Sequence, residues 1–328
     1  MSIGLLWARR FCSLHIVTND TDIRERPVGV FDSGLGGLTV VRELSRVLPG
    51  EDILYLGDTA RVPYGIKSLS TVRRFSLEIV SFLLRLRPKM LVVACNTATA
   101  AAIDLIERIC PVEVVDVIRP GAAAAVGAAG GPIGVIATEA TISSGAYVRA
   151  IQRLDSQRTV LGQACPLLVP IVEEGRNEFD PVVLAVLGGY LRDLQRILPV
   201  REYGSNGDGL PEEPGNGALI LGCTHYPLLE GAIGRVMGPS VPLVSSARAA
   251  ASEAQRRLYL KNIHSLRNYG GRLHCYTTDN ADRFCRLGER FGGRAIDKVE
   301  LVKSDELEDL ARKDVAAWAD SEPQATSH

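Results

Sequence analysis

The sequence predicts an α/β protein with mostly parallel sheets. Two regularities carry that expectation. Short apolar runs bounded by turn residues alternate with segments whose apolar residues recur at helical spacing, along most of the 328 residues. Two of the apolar runs also end alike, on a cysteine followed by polar residues and a helical pattern.

The elements read in order. Val28-Gly29-Val30-Phe31 is a strand, and after a Gly-rich turn Leu38, Val41, Leu44 and Leu48 repeat as one helix face. Asp52 to Leu56 is a second strand. Val72, Phe75, Ile79, Phe82 and Leu86 mark the next helix, which Pro88 stops. Met90 to Ala94 is a buried strand, Ala98 to Ile109 a helix and Val112 to Val117 a strand. Ala122 to Ala129 forms a helix closed by Gly130-Gly131, followed by a strand at Ile133 to Ala137 and a helix at Gly145 to Leu154. Asp180-Pro181 reads as an N-cap with proline at the first helical position, opening a helix to about Leu198. Ala218 to Leu221 is a strand and Pro227 opens the helix after it. Ser246 to Leu260 is helical, Leu273 to Tyr276 a strand and Asp279 to Phe291 a helix.

Three stretches fall outside this alternation. Residues 1–26 read as an extension, or as upstream sequence taken from too early a start codon; Arg9 and Arg10 interrupt Met1–Leu6 before a signal-peptide core can form. Residues 201–217 hold five glycines, two prolines and three glutamates, and read as a surface loop. Residues 318–328 read as a frayed tail.

Composition narrows the function. Apolar residues make up 46%, which rules out general disorder, and 37 basic against 38 acidic residues give a net charge of -1. That balance gives no reason to expect a nucleic-acid or membrane partner. No run reaches the roughly 18 apolar residues a membrane span needs. The seven cysteines, Cys12, Cys95, Cys110, Cys165, Cys223, Cys275 and Cys285, are odd in number and contain no CxxC pair. Free thiols in a reducing cytoplasm are the simplest reading.

The strand Met90–Ala94 ends in Cys95-Asn96-Thr97, and the strand Ala218–Gly222 ends in Cys223-Thr224-His225. Ligands of α/β sheets bind at the carboxyl ends of strands. Each cysteine is thereby expected at a helix N-terminus, which favours an anion. A free thiol has a pKa of roughly 8.5, so ionising it at pH 7 costs about 2 kcal/mol, and a helix N-terminus or cation offsets most of that. Free cysteine is usually a small core hydrophobe, the reading that Cys110, Cys165, Cys275 and Cys285 take. Cys95 and Cys223 differ because they share a ligand-facing slot. Racemisation needs a base on one face of Cα and an acid on the other, and two thiols that exchange roles suit a reaction that runs both ways. A redox dithiol would instead need the sulfurs within bonding distance.

Other motifs sit at strand ends. Asp32-Ser33-Gly34-Leu35-Gly36-Gly37 follows the first strand; GxGxxG from Gly34 would need glycine at Thr39, so dinucleotide binding is weakly supported. The glycines let backbone N–H groups approach a carboxylate. Asp32 is either a helix cap or a functional carboxylate. Gly57-Asp58-Thr59 with Pro63-Tyr64-Gly65 is a polar loop, and Thr138 and Thr141 follow another strand. His225 could polarise a thiol or protonate a developing enediolate. A Cys-x-His metal site is the rival, but no further ligand cluster is evident, so no metal is expected.

The segments Asp32–Gly37, Gly57–Thr59 with Pro63–Gly65, Ala94–Ala98 and Gly222–Pro227 together resemble the glutamate racemases, in that family's order, over about residues 27–300. The resemblance implies two α/β domains related by a pseudo-twofold, residues 27–118 plus 246–317 and residues 119–245, with the active site between them. It implies cofactor-independent interconversion of L- and D-glutamate for peptidoglycan, in the cytoplasm, with glutamate as the small-molecule partner and a homodimer as the candidate assembly. Cys223 would take the proton from the L-isomer and Cys95 from the D-isomer, with Asp32 and His225 assisting. Ser33, Pro63, Tyr64, Gly65, Asn96, Thr97, Thr141 and Thr224, with Asp32 and His225, would hold substrate. A family acidic residue matches Glu173 or its neighbour Glu174, and Glu173 is preferred. Aspartate and hydantoin racemases and a malonate-type decarboxylase are the rivals of related fold, and a non-catalytic amino-acid-binding protein is the rival of another class. The chain departs from the family in the long 1–26 and 201–217 segments, and at Gly217 and Val244, where the family often carries aspartate.

Overall fold

A computed structural model of the chain describes residues 22–198 and 216–319. Among the described residues ten strands form two sheets in which every pairing is parallel. They are β1 (Val28–Asp32), β2 (Ile53–Gly57), β3 (Met90–Val93), β4 (Glu113–Asp116), β5 (Ile133–Ala137), β6 (Val160–Ala164), β7 (Ala218–Gly222), β8 (Leu243–Ser245), β9 (Leu273–Thr277) and β10 (Lys298–Leu301). The first sheet has the order β10-β9-β2-β1-β3-β4 and the second β6-β5-β7-β8. The first sheet thus draws strands from both ends of the chain, and the second is built from the segment between them.

The central strands are buried on both faces, as in β1 and β7, where all five residues are buried. Helices cover both faces of such a sheet, and this is why the strands read as continuous apolar runs. Register carries the strand ends into line: Asp32 pairs with Gly57 and Phe31 with Val93, while Ala137 pairs with Gly222. The helix Ser246–Leu260 packs on the helices Leu38–Val47 and Ile118–Ala128. Its buried face includes Ala247, Ala250, Ala251 and Ala254, small side chains that let helix axes approach closely.

Several elements differ from the sequence reading. β6, β8 and β10 were not expected, and all three are sheet edges. The helix expected over 145–154 is present as Ala146–Leu154, and an unexpected short helix, Glu139–Ser143, precedes it across Ser144 and Gly145, the latter at φ 66°. The helix expected to reach Leu198 stops at Leu191, although Asp180 caps it and Pro181 opens it as expected; a short helix, Leu194–Ile197, follows. A last helix, Ser304–Ala319, runs two residues into the expected tail and docks on the helix Leu69–Arg85, where Arg85 bonds both Asp314 oxygens at 3.1 and 3.2 Å.

Of the expected N-terminal extension, residues 22–26 hold a 3-10 turn, Ile23–Glu25, whose central residue Arg24 offers its carbonyl to Lys89 Nζ at 2.8 Å. The rest of that extension, loop 201–217 apart from its last two residues, and residues 320–328 lie outside the described residues. Among the described residues no helix is long and apolar enough to cross a membrane.

Candidate active site

The carboxyl ends of β1, β3, β5 and β7 meet face to face. Asp32 ends β1, Cys95 follows β3, Thr138 follows β5 and Cys223 follows β7. Side chains tie the two sets of strand ends together. Thr39 Oγ1 donates to the Thr224 carbonyl at 2.8 Å, and Tyr147 Oη donates to Asn96 Oδ1 at 2.7 Å. The hydroxyls of Thr97, Thr138 and Thr141 form a triangle with sides of 3.0, 3.2 and 3.0 Å. The interface is close: a Cβ at Gly36 would lie 2.3 Å from Thr224 Oγ1 and 2.6 Å from the His225 ring, so only glycine fits between the halves.

Cys95 is the N-cap of the helix Asn96–Ile109, its sulfur accepting from the Ala98 amide at 3.4 Å. That is the helix N-terminus expected from sequence, but it does not make the thiol acidic. Cys95 is only 4% exposed, and burial pushes its pKa well up, with the Asp32 carboxylate adding to the effect against the hydrogen bonds from Ala98 and Ser33. The resting state of Cys95 is therefore the thiol. Burial likewise raises the pKa of Asp32, against the opposing charge of His225 and the amides of Gly37 and Gly34, which donate to Oδ2 at 2.9 and 3.3 Å.

Cys223, 6% exposed, has different surroundings. The expected α-helix does not begin beside it; a 3-10 turn, Tyr226–Leu229, intervenes and the helix starts at Glu230. Proline at 227 has no N–H to give, and the Tyr226 amide is spent on the Cys223 carbonyl at 3.1 Å. Side-chain charge stands in for the missing dipole. Cys223 Sγ lies 3.8 Å from His225 Nδ1, and His225 Nε2 lies 3.0 Å from Glu173 Oε1. Burial alone would lower the His225 pKa; the bonds to Cys223 and Glu173 outweigh it and raise the pKa to about 10. Burial opposes ionisation of Glu173, and the His225 contact reverses that and lowers its pKa. The chain Cys223–His225–Glu173 is thus a buried cation held between a sulfur and a carboxylate. Glu173, 23% exposed at its side chain, makes this contact; Glu174 is 69% exposed and pairs with Arg176.

Two buried polar atoms in this cluster have no partner: Asp32 Oδ1, an acceptor, and Asn96 Nδ2, a donor. Unpaired buried polar groups are costly and uncommon, and together they complement a ligand that carries both an ammonium and a carboxylate. Asp32 raises the pKa of Cys95, and the charge of His225 acts in turn on Asp32, so one charge network spans the two cysteine loops. A cavity of about 50 Å³, lined by Gly34, Leu35, Thr59, Val62, Glu173, Asp279, Asn280, Arg283 and Phe284, adjoins this network at Glu173.

The profile of the Asp/Glu/Hydantoin racemase family matches residues 29–194. The glutamate racemase of Syntrophus aciditrophicus is 45% identical over 84% of this chain and 96% of its own length, and that of Thermus thermophilus 45% identical over 87% and 98%. Among solved structures, glutamate racemase RacE1 from Bacillus anthracis superposes with a TM-score of 0.76 at 38% identity, covering 86% of this chain and 98% of that one. The Francisella tularensis glutamate racemase, solved with D-glutamate, superposes at 0.74 and 33% identity, covering 85% and 98%. The chain belongs to the Asp/Glu/hydantoin racemase family.

In this family member the expected site residues do not all stand alike. Asp32, Ser33, Asn96, Thr97, Thr141, Thr224 and His225 are all buried in the cluster. Gly65 packs on Thr138, where a Cβ would come within 2.7 Å. Tyr64 differs: its hydroxyl is committed to Asp58, which also takes Arg61 Nε at 2.7 Å and Thr278 Oγ1 at 2.9 Å. Only its backbone is left for a ligand. Pro63 is exposed. Sequence reasoning missed Tyr147 and the bridging roles of Thr39 and Thr138, because each acts through a partner far away along the chain. Among the described residues no group of three or more His, Cys, Asp or Glu is placed to hold a metal ion.

Proposed function

We propose that this chain interconverts L- and D-glutamate by moving the Cα proton between Cys223 and Cys95. The observation that carries the reading is the buried cluster holding both thiols, with an unpaired carboxylate oxygen on Asp32 and an unpaired amide donor on Asn96. An amino acid fits that pair: ammonium on Asp32, carboxylate on Asn96. The named relatives favour glutamate over other amino acids, and three solved relatives carry D-glutamate, L-glutamate or an amino-acid analogue.

In the L-to-D direction the Cys223 thiolate, facing the His225–Glu173 pair, takes the proton from Cα. The Cys95 thiol gives its own proton to the opposite face. One C–H bond breaks, one forms, and the protonation of the two sulfurs is exchanged. The reverse reaction runs with the roles swapped, Asp32 accompanying Cys95. A positioned base contributes about 10²–10⁴-fold, so donors aimed at the substrate carboxylate must stabilise the carbanion as well. Ser33, Thr97, Thr141 and Thr224, with backbone N–H groups of the 63–65 loop, are the further substrate contacts.

The mechanism uses no pyridoxal phosphate. Both proton-transfer groups are side chains of the chain itself, the thiols of Cys95 and Cys223. Residues 27–118 with 246–317, and residues 119–245, form the two lobes that close on substrate. D-glutamate for peptidoglycan is the product, made in the cytoplasm, by a homodimer. The test is incubation of L-glutamate with the protein in D₂O: deuterium appears at Cα as optical rotation decays. Glutamate recovered with its α-hydrogen intact and its rotation unchanged would end this reading, and faster exchange of L-aspartate would move it to a sister activity.

A further inference from the structure

We propose that Tyr147 is a positioning residue that aims the Asn96 carboxamide at the substrate's carboxylate. This rests on the functional reading above and adds a residue from outside the strand-end loops.

Tyr147 belongs to the helix Ala146–Leu154, on the second sheet's side, and is 3% exposed. Its ring lies over Gly222, the residue before Cys223, where a Cβ would come within 3.0 Å of Cε2. Its hydroxyl reaches across to Asn96, the residue after Cys95. A single side chain therefore touches the backbone slot of one cysteine and the neighbour of the other. Glycines make the room: Gly222 under the ring, and Gly121, whose Cβ position is 3.6 Å from the hydroxyl.

A carboxamide has two orientations, and its neighbours choose between them. Burial raises the Tyr147 pKa, so the phenol keeps its proton. The phenol directs that proton at the Asn96 carboxamide at 2.7 Å, where only Oδ1 can accept it. Nδ2 must face the other way, and that atom is buried and unpartnered. In the flipped orientation Oδ1 would face the ligand and repel a carboxylate. Tyr147 thus converts a symmetric-looking amide into a dedicated donor before substrate arrives.

The test is a double-mutant cycle on Tyr147→Phe and Asn96→Ala, read as the Kd for D-glutamate by calorimetry and as KM and kcat. A hydrogen bond to a charged group is worth enough for a 10- to 100-fold change, and partial loss of orientation should raise Kd and KM roughly 3- to 30-fold in Tyr147→Phe. The kcat should change less than about 3-fold. In the Asn96→Ala background Tyr147→Phe should add less than about 2-fold, an outcome a merely structural tyrosine would not give. Asn96→Asp keeps an acceptor for the phenol but removes the donor; it should bind more weakly than Tyr147→Phe while melting at the wild-type temperature. Unchanged Kd in Tyr147→Phe, or an equal loss in both backgrounds, overturns the assignment. Wild-type protein that binds glutamate without racemising it defeats the functional reading and leaves this cycle readable. Wild-type protein that does not bind glutamate overturns both.

Discussion

Replacing Glu173 by glutamine removes one charge from the Cys223–His225–Glu173 chain and leaves its shape nearly intact. The His225–Glu173 contact is a charge-assisted hydrogen bond of 3.0 Å, with the histidine 4% and the glutamate 23% exposed at their side chains. Such bonds are worth about 1.5–3 kcal/mol, or about 1–2 pH units. The His225 pKa, raised to about 10 in the native protein, should then fall to roughly 8–9 in Glu173→Gln. The sign for stability follows. A histidine raised above its unfolded value of about 6.5 stabilises fully below that pH, and the contribution is lost as pH rises through its folded value. The variant should be less stable than wild type by about 1.5–3 kcal/mol near pH 6, and the gap should close toward pH 10. The assay is the imidazole NMR titration of His225, paired with urea unfolding at pH 6 and pH 10. If racemisation needs His225 charged, the alkaline limb of kcat/KM moves down with the NMR value. An unmoved His225 titration, or a stability gap that widens with pH, would refute the charge chain.

Three further outcomes are expected. Cys95→Ser and Cys223→Ser should each lower kcat about 10²–10⁴-fold in a polarimetric assay; full activity in both would remove the thiols from the mechanism. Gly36→Ala places a methyl within 2.3 Å of Thr224 Oγ1, so it should lower kcat/KM at least about 10-fold with an unchanged far-UV circular dichroism spectrum; wild-type kinetics would mean that the halves do not meet there. Lys89→Met strips the cationic partner from buried Glu51 and should cost about 3–5 kcal/mol in urea unfolding, and a loss below about 1 kcal/mol would show the pair to be dispensable.

How far the fold could be read depended on where a strand lies in its sheet. β1, β2, β3, β5, β7 and β9 all run between two other strands, and the sequence marked each as an apolar run. Edge strands carry a weaker signal. β6 has no buried residue, β10 reads partly exposed throughout, and β8 is three residues long. Only β4 among the edges was legible, because Val114 and Val115 are buried. The two cysteines, Asp32 and His225 were legible because each sits within three residues of a strand end, and a strand end is a local feature.

By itself, then, the sequence determined the parallel α/β order, the two thiols at matching strand ends and the polar residues beside them. These are local matters of apolar runs, turn residues and caps. Only the tertiary structure decided what those residues are chemically. It kept Cys95 protonated by burying it beside Asp32, put His225 and Glu173 where a helix dipole was expected, tied the Tyr64 hydroxyl to Asp58, and spanned the two cysteine loops with Tyr147. The reason is that desolvation and charge act through space. Glu173 and His225 are 52 positions apart and Tyr147 and Asn96 51, so no window along the chain contains either contact.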